Sequence, residues 1–157
     1  MLENKPKNED LITSVENYLT SIIEKPRPEY MGMPVCPFVK KERINDKLMI
    51  DVFDNNEECF LDKFQEFVDS KYTDAVFAQQ MDVSLATQNS KIYQDFLNKI
   101  IKKDFSDYKI IVINPNDRFN VKGFNPRQLA PCFLIVATNR KKLSKLLKLK
   151  KLYKRLY

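Results

Sequence analysis

Apolar residues recur at intervals of three and four along Leu11, Ile12, Val15, Tyr18, Leu19, Ile22 and Ile23, the spacing of one face of an amphipathic helix. Pro26 and Pro28 end that pattern, because proline has no amide proton with which to continue a helix. An irregular stretch, Lys25 to Phe38, comes next, and a short helix is expected over about Pro37 to Ile44. Lys47 to Asp54 reads as a strand, with Asn55-Asn56 as its turn. Phe60, Leu61, Phe64, Phe67 and Val68 return to the helical period, and Ala75 to Ala78 reads as a short strand. Ile92, Tyr93, Phe96, Leu97, Ile100 and Ile101 mark a third long helix. Tyr108 to Ile113 and Cys132 to Thr138 are continuous apolar runs rich in β-branched residues, as expected of strands buried on both faces. A long loop, Asn114 to Pro131, separates them.

The order β-α-β-α-β-β-α predicts an α/β fold, with α+β as the alternative. The sheet is mixed, of about four strands, with helices packed on it and a helix at each end of the chain. Thioredoxin-like and ferredoxin-like arrangements both approximate that order. The length of 157 residues, with 43% hydrophobic and 31% charged, predicts a single domain over 1–157. Cys132 to Ala137, among the longest purely apolar runs, is far short of the roughly 20 residues that span a bilayer. No apolar segment with a small-residue cleavage site opens the chain, so no signal peptide is expected. Three widely spaced cysteines argue against a disulfide framework and for a cytoplasmic location.

Histidine is absent, which removes the commonest general base and the commonest metal ligand. Catalysis would rest on Cys, Lys, Tyr, Asp or Glu. Neither a GxGxxG nor a GxxxxGK[ST] pattern occurs, and no cofactor or metal site is expected. The net charge of +6 is an average over unlike parts. Residues 140–157 hold nine Lys or Arg and no acid, while residues 1–139 carry 18 basic and 21 acidic groups. In that tail Leu143, Leu146, Leu147, Leu149, Leu152, Tyr153 and Leu156 fall mainly on one helical face. A cationic amphipathic helix docks on its own domain, lies on a membrane, or binds nucleic acid, here through Lys141, Lys145, Lys148 and Lys151.

Both glycines, Gly32 and Gly123, lie in the two long loops, as do seven of the eight prolines. Long loops held by proline and shaped by glycine are frequent homes of function. Arg27, Asn114, Asp117, Arg118 and Arg127 in these loops are the candidate ligand-binding residues, suited to a protein partner or a small anionic ligand. The competing reading makes the loops rigid covers over the sheet ends. Cys36 is the candidate catalytic residue: with Pro37 at the first helical position it becomes an N-cap, where the helix dipole favours a thiolate. Against this stands the usual fate of a free cysteine, a small buried apolar residue. Cys132, at the start of a buried strand, reads as core, and Cys59, among acids, as incidental.

The succession Cys36-Pro37-Phe38, Tyr93-Gln94-Asp95-Phe96-Leu97, Asn114-Pro115-Asn116-Asp117-Arg118-Phe119 and Arg127 to Pro131 resembles an uncharacterised bacterial family with a Leu-Cys-Pro-Phe-Ala signature. It resembles still more the hypothetical proteins carried by marine tailed phages. The resemblance spans roughly residues 10 to 155 and brings no known activity with it. It directs attention to Cys36 and the Asn114–Pro131 loop, and Asn114 stands where that family has histidine. Glutaredoxins also carry a Cys-Pro-aromatic motif. Here Val39 takes the partner position, and Ala130-Pro131-Cys132 would have to supply the cis-proline. Three functions follow as expectations: an accessory binding protein using both loops, a thiol enzyme with Cys36 as nucleophile assisted by lysine or arginine, and nucleic-acid binding through the basic tail.

Overall fold

The computed structural model describes residues 8–54, 57–80 and 90–139. Helix α1 (Asn8–Tyr18) runs on through a π-helical turn, Leu19–Ile23, and a 3-10 turn, Pro28–Tyr30, precedes α2 (Val39–Ile44). The chain continues as β1 (Leu48–Asp54), α3 (Phe60–Val68), β2 (Asp74–Gln80), α4 (Ser90–Ile101) and β3 (Tyr108–Ile113). A second 3-10 turn, Pro126–Leu129, leads into β4 (Phe133–Asn139). The expected turn at Asn55-Asn56 and the expected C-terminal helix over 140–157 lie outside the described residues.

The four strands form one mixed sheet in the order β1-β2-β4-β3, which makes the fold α/β. β1 and β2 are parallel, and β4 is antiparallel to both β2 and β3. The last strand is therefore inserted between the second and third. The chain order βαβαββ departs from the β-α-β-β-α-β order of ferredoxin-like domains.

Side chains alternate across the sheet, so each strand feeds two cores. On one face Val52, Val76, Ala78 and Leu134 pack against Val15, Tyr18, Leu19 and Ile23. On the other, Phe53, Phe77, Val112, Phe133 and Ile135 pack against Phe64, Phe67, Tyr93 and Leu97. Three layers result, with α1 on one side and α3 and α4 on the other. Phe133, Leu134, Ile135 and Ala137 are all buried, which is why β4 is written as an unbroken apolar run. The π turn closes with Glu24 N–H donating to the Leu19 carbonyl at 2.8 Å, and it keeps Leu19 and Ile23 buried beside Tyr18.

The outer edge of β3 is closed by side chains. Asn98 on α4 accepts from Ile110 N–H at 2.8 Å through Oδ1 and donates to the Ile110 carbonyl at 2.9 Å through Nδ2. Gln94, one turn earlier, accepts from Val112 N–H at 2.9 Å. Arg127 Nη1 donates to the Val112 carbonyl at 3.4 Å. An edge strand left open is a template for pairing with another chain, and these amides prevent it. Asn98→Ala strands a donor and an acceptor at that edge. It should lower stability by about 1–3 kcal/mol in urea unfolding and make light scattering rise with protein concentration.

Candidate functional site

The loop before α2 and the loop between β3 and β4 meet. The Arg27 guanidinium lies 3.7 Å from the centroid of the Phe124 ring. Beneath this contact Tyr30 and Val121 are buried, with Met33, Val35, Phe119 and Phe124 packed on them as a small core of their own. Both loops turn by the same device. Met33 N–H donates to the Tyr30 carbonyl at 3.0 Å, and Phe124 N–H to the Val121 carbonyl at 3.0 Å. The two central residues have positive φ in each case: 56° and 81° at Met31 and Gly32, 52° and 87° at Lys122 and Gly123. This is a type I′ turn written twice. A Cβ at either glycine would meet nothing within 4 Å, so glycine serves the backbone conformation and not close approach.

The longer loop is organised around one carboxylate. Asp117 accepts from the Ser90 hydroxyl, from Asn114 N–H at 3.1 Å and from Arg127 Nη1 at 2.9 Å. Ser90 opens α4, so the carboxylate stands at the positive end of that helix. Asn125 donates to the Asp117 carbonyl at 2.8 Å, and its Oδ1 accepts from Arg127 N–H at 3.0 Å, capping the second 3-10 turn. Asn114 is buried, and its side-chain oxygen accepts from Asn116 N–H at 2.9 Å. The Tyr18 hydroxyl donates to the Pro126 carbonyl at 2.7 Å and ties the loop to α1.

Among the candidate ligand residues, Asn114, Asp117 and Arg127 are thus brought into one network. Arg127 is further occupied by the Phe119 ring, 4.7 Å from its guanidinium carbon. Arg27 stands on the facing loop, its Nε donating to Glu29 at 2.9 Å. That bond holds the Glu29 carboxyl below its ordinary pKa. Arg118 is exposed.

Two of three polar residues at the same edge escaped the sequence reading, and the third, Tyr93, entered it only as a helix position and within the family-like motif. β1, β2 and β3 end where β4 begins, and there Gln79, Ser90 and Tyr93 are buried. Neither polar atom of the Gln79 side chain has a hydrogen-bond partner among the described residues. Burial pushes the Tyr93 hydroxyl above its ordinary pKa. The signal was available in the alternation: Gln79 follows Ala75 and Phe77 on one face, where another apolar residue belongs.

The structure corrects the expectation for Cys36. It lies two residues ahead of the α2 N-cap, which is Phe38. Pro37 and Phe38 form a turn outside the helix, and the first helical bond runs from Glu42 N–H to the Phe38 carbonyl at 3.1 Å. Cys36 packs, partly buried, against the α1-side core, so the helix-terminus geometry for a thiolate is absent. The cysteine at an N-cap is Cys59, exposed and making no capping bond. Cys132, one residue before β4, is partly buried, and burial pushes its thiol up to about 11. Cys36 precedes β1, and among the described residues no named strand stands ahead of it as one does in glutaredoxins. Lys141, Lys145, Lys148 and Lys151 lie outside the described residues. Among those residues no helix is long and apolar enough to cross a membrane.

Comparison with protein families, with curated proteins and with solved structures finds no match to the chain.

The paired turns predict substitutions of opposite sign. Gly123→Ala should cost about 1–2 kcal/mol in urea unfolding through backbone strain alone. Lys122→Gly should be neutral or stabilising, because it relieves the strain of a side chain at positive φ.

The Cys132 thiol predicts the alkaline behaviour. The folded chain holds this proton more tightly than the unfolded one, so its contribution is full below the ordinary thiol value near 9 and is lost as pH rises towards about 11. Tyr18, raised by burial against the lowering charge of Arg127, adds in the same direction at higher pH. Urea midpoints at about pH 8 and about pH 10 should therefore fall less in Cys132→Ala than in the unaltered chain.

Proposed function

We propose that the chain is a binding protein whose joined loops hold an anionic group of a partner or small ligand. The observation that carries this reading is the Arg27 guanidinium, stacked 3.7 Å over Phe124 and steered by Glu29 at 2.9 Å while its side chain stays 30% exposed. A planar cation fixed on an aromatic face has lost much of its freedom before anything binds, so less is lost on binding. Nε is turned to Glu29, which leaves the guanidinium's outer nitrogens for a carboxylate or phosphate fork. Exposed Arg118 and Lys122 on the facing loop add charge of the same sign. Asn114, Asp117 and Arg127 act in this reading as the frame that holds the loop, not as contacts.

Three free cysteines suit a reducing cytoplasm as its setting.

Titration of the isotopically labelled protein with inorganic phosphate tests the reading. Saturable shifts are expected at the Gly32 and Gly123 amides and at the Arg27 Nε–H. Arg27→Lys keeps the charge and loses the fork, and should weaken binding by about tenfold, the equivalent of about 1.4 kcal/mol. The absence of saturable shifts in both loops, or equal affinity in Arg27→Lys, would overturn it.

A further inference from the structure

The two outer edges of the sheet are closed to different extents. Asn98, Gln94 and Arg127 bond along the edge of β3. On β1 successive residues turn their backbone groups to opposite sides. The Lys47 carbonyl accepts from Asp74 N–H at 3.3 Å, so Lys47, Met49, Asp51 and Phe53 face β2, while Leu48, Ile50, Val52 and Asp54 face outwards. Val52 N–H donates to the Asp51 carboxylate at 2.8 Å, and Asp54 N–H to the Glu58 carboxylate at 3.1 Å. Leu48 and Ile50 have no such cap among the described residues, and both stay partly exposed.

A cavity of about 430 Å³ lies beside this uncapped stretch, on the α1 side of the sheet. Leu48 and Ile50 form one wall, and Glu16 on α1, Arg43 on α2, Asp46 and Tyr72 form the others. All hydrogen bonds and ion pairs of these six residues are made with described residues. Arg43 is engaged by Glu24 through two bonds of 2.8 Å, and Asp46 by Lys71. The Lys71 ammonium also lies 5.3 Å from the centroid of the Tyr72 ring, so this rim already receives one cation of the chain. Glu16 forms no ion pair among the described residues, which leaves the cavity a carboxylate in excess.

We propose that the Leu48–Ile50 edge binds a short extended segment of another protein as an added strand, with a lysine or arginine of that segment in the cavity against Glu16. Leu48 and Ile50 each offer one N–H and one C=O, and they lie about 7 Å apart along the strand. About three residues of the partner can therefore pair before the capped Val52 ends the ladder. In strand addition the main chain supplies affinity and a pocket supplies choice of side chain. A long basic side chain lays its stem on Leu48 and Ile50 and brings its charge to Glu16, while an acidic one is repelled by Glu16 and Asp46. The site shares no residue with the loops that carry Arg27.

The probe is the blocked peptide acetyl-Thr-Val-Arg-Val-Thr-amide, titrated into the isotopically labelled full chain. Saturable shifts are expected at the Leu48 and Ile50 amides, with the internally bonded Val52 amide shifting least. Glu16→Gln should weaken binding by about tenfold. The peptide with glutamate in place of arginine should not bind, and neither should the one methylated on its Val, Arg and Val nitrogens. No saturable shift up to about 5 mM peptide overturns the proposal. Equal binding of the methylated peptide rules out strand addition, and equal binding of the glutamate peptide or to Glu16→Gln rules out the basic partner. Shifts at Leu48 and Ile50 that grow with protein concentration alone would make this edge an interface between copies of the chain, and would overturn it as well.

Discussion

One carboxylate holds the carboxyl edge of the sheet together. Asp117 joins the first residue of α4, the backbone just past β3 and the arginine that precedes β4. These three points belong to α4, β3 and the approach to β4, which follow one another in the chain, and Asp117 gathers them at one end of the sheet. The return from β3 to β4 cannot be a two-residue hairpin here, since the 18 residues from Asn114 to Pro131 must also cover the sheet end. Proline, the Asn125 cap and the Asp117 network supply the order that a hydrogen-bonded ladder would supply elsewhere. A guanidinium and a helix terminus face this carboxylate where the loop partly buries it.

Arg127 shows how one side chain serves several demands. It neutralises Asp117, lies against Phe119 and satisfies the Val112 carbonyl on the edge of β3. Gln94 and Asn98 do the rest of that edge, so the polar stripe of α4 acts as a substitute strand. Polar residues on a helix face usually meet water; here two of them face a backbone. Arg27 differs in kind, since its stacking on Phe124 fastens one loop to the other and leaves part of the guanidinium at the surface.

The cysteines illustrate the limits of local pattern. Cys-Pro-Phe suggests a helix start, yet Phe38 and not Cys36 takes the capping position, and α2 runs only from Val39 to Ile44. Desolvation moves Cys132 away from reactivity, while Cys59 is left exposed among acids. Thiol chemistry at Cys36 therefore has no helix dipole behind it.

Hydrophobic period and continuous apolar runs determined these elements: α3 spans the expected Phe60 to Val68, β3 the expected Tyr108 to Ile113, and α4, β1, β2 and β4 differ by one or a few terminal residues. They could do so because burial of a face is a local, periodic demand on the chain. The concentration of glycine and proline likewise marked the two loops, since positive φ at Gly32 and Gly123 is a property of single residues. Strand order, the sealing of β3 by Asn98 and Gln94, and the burial of Gln79 were decided only in three dimensions. Each depends on which surfaces pack together, and a residue's partner 12 or 18 positions away leaves no trace in its own period. The roles of Asp117 and Arg127 belong there too: the same two residue types would bind a ligand or brace a loop, and the neighbour at 2.9 Å decides which.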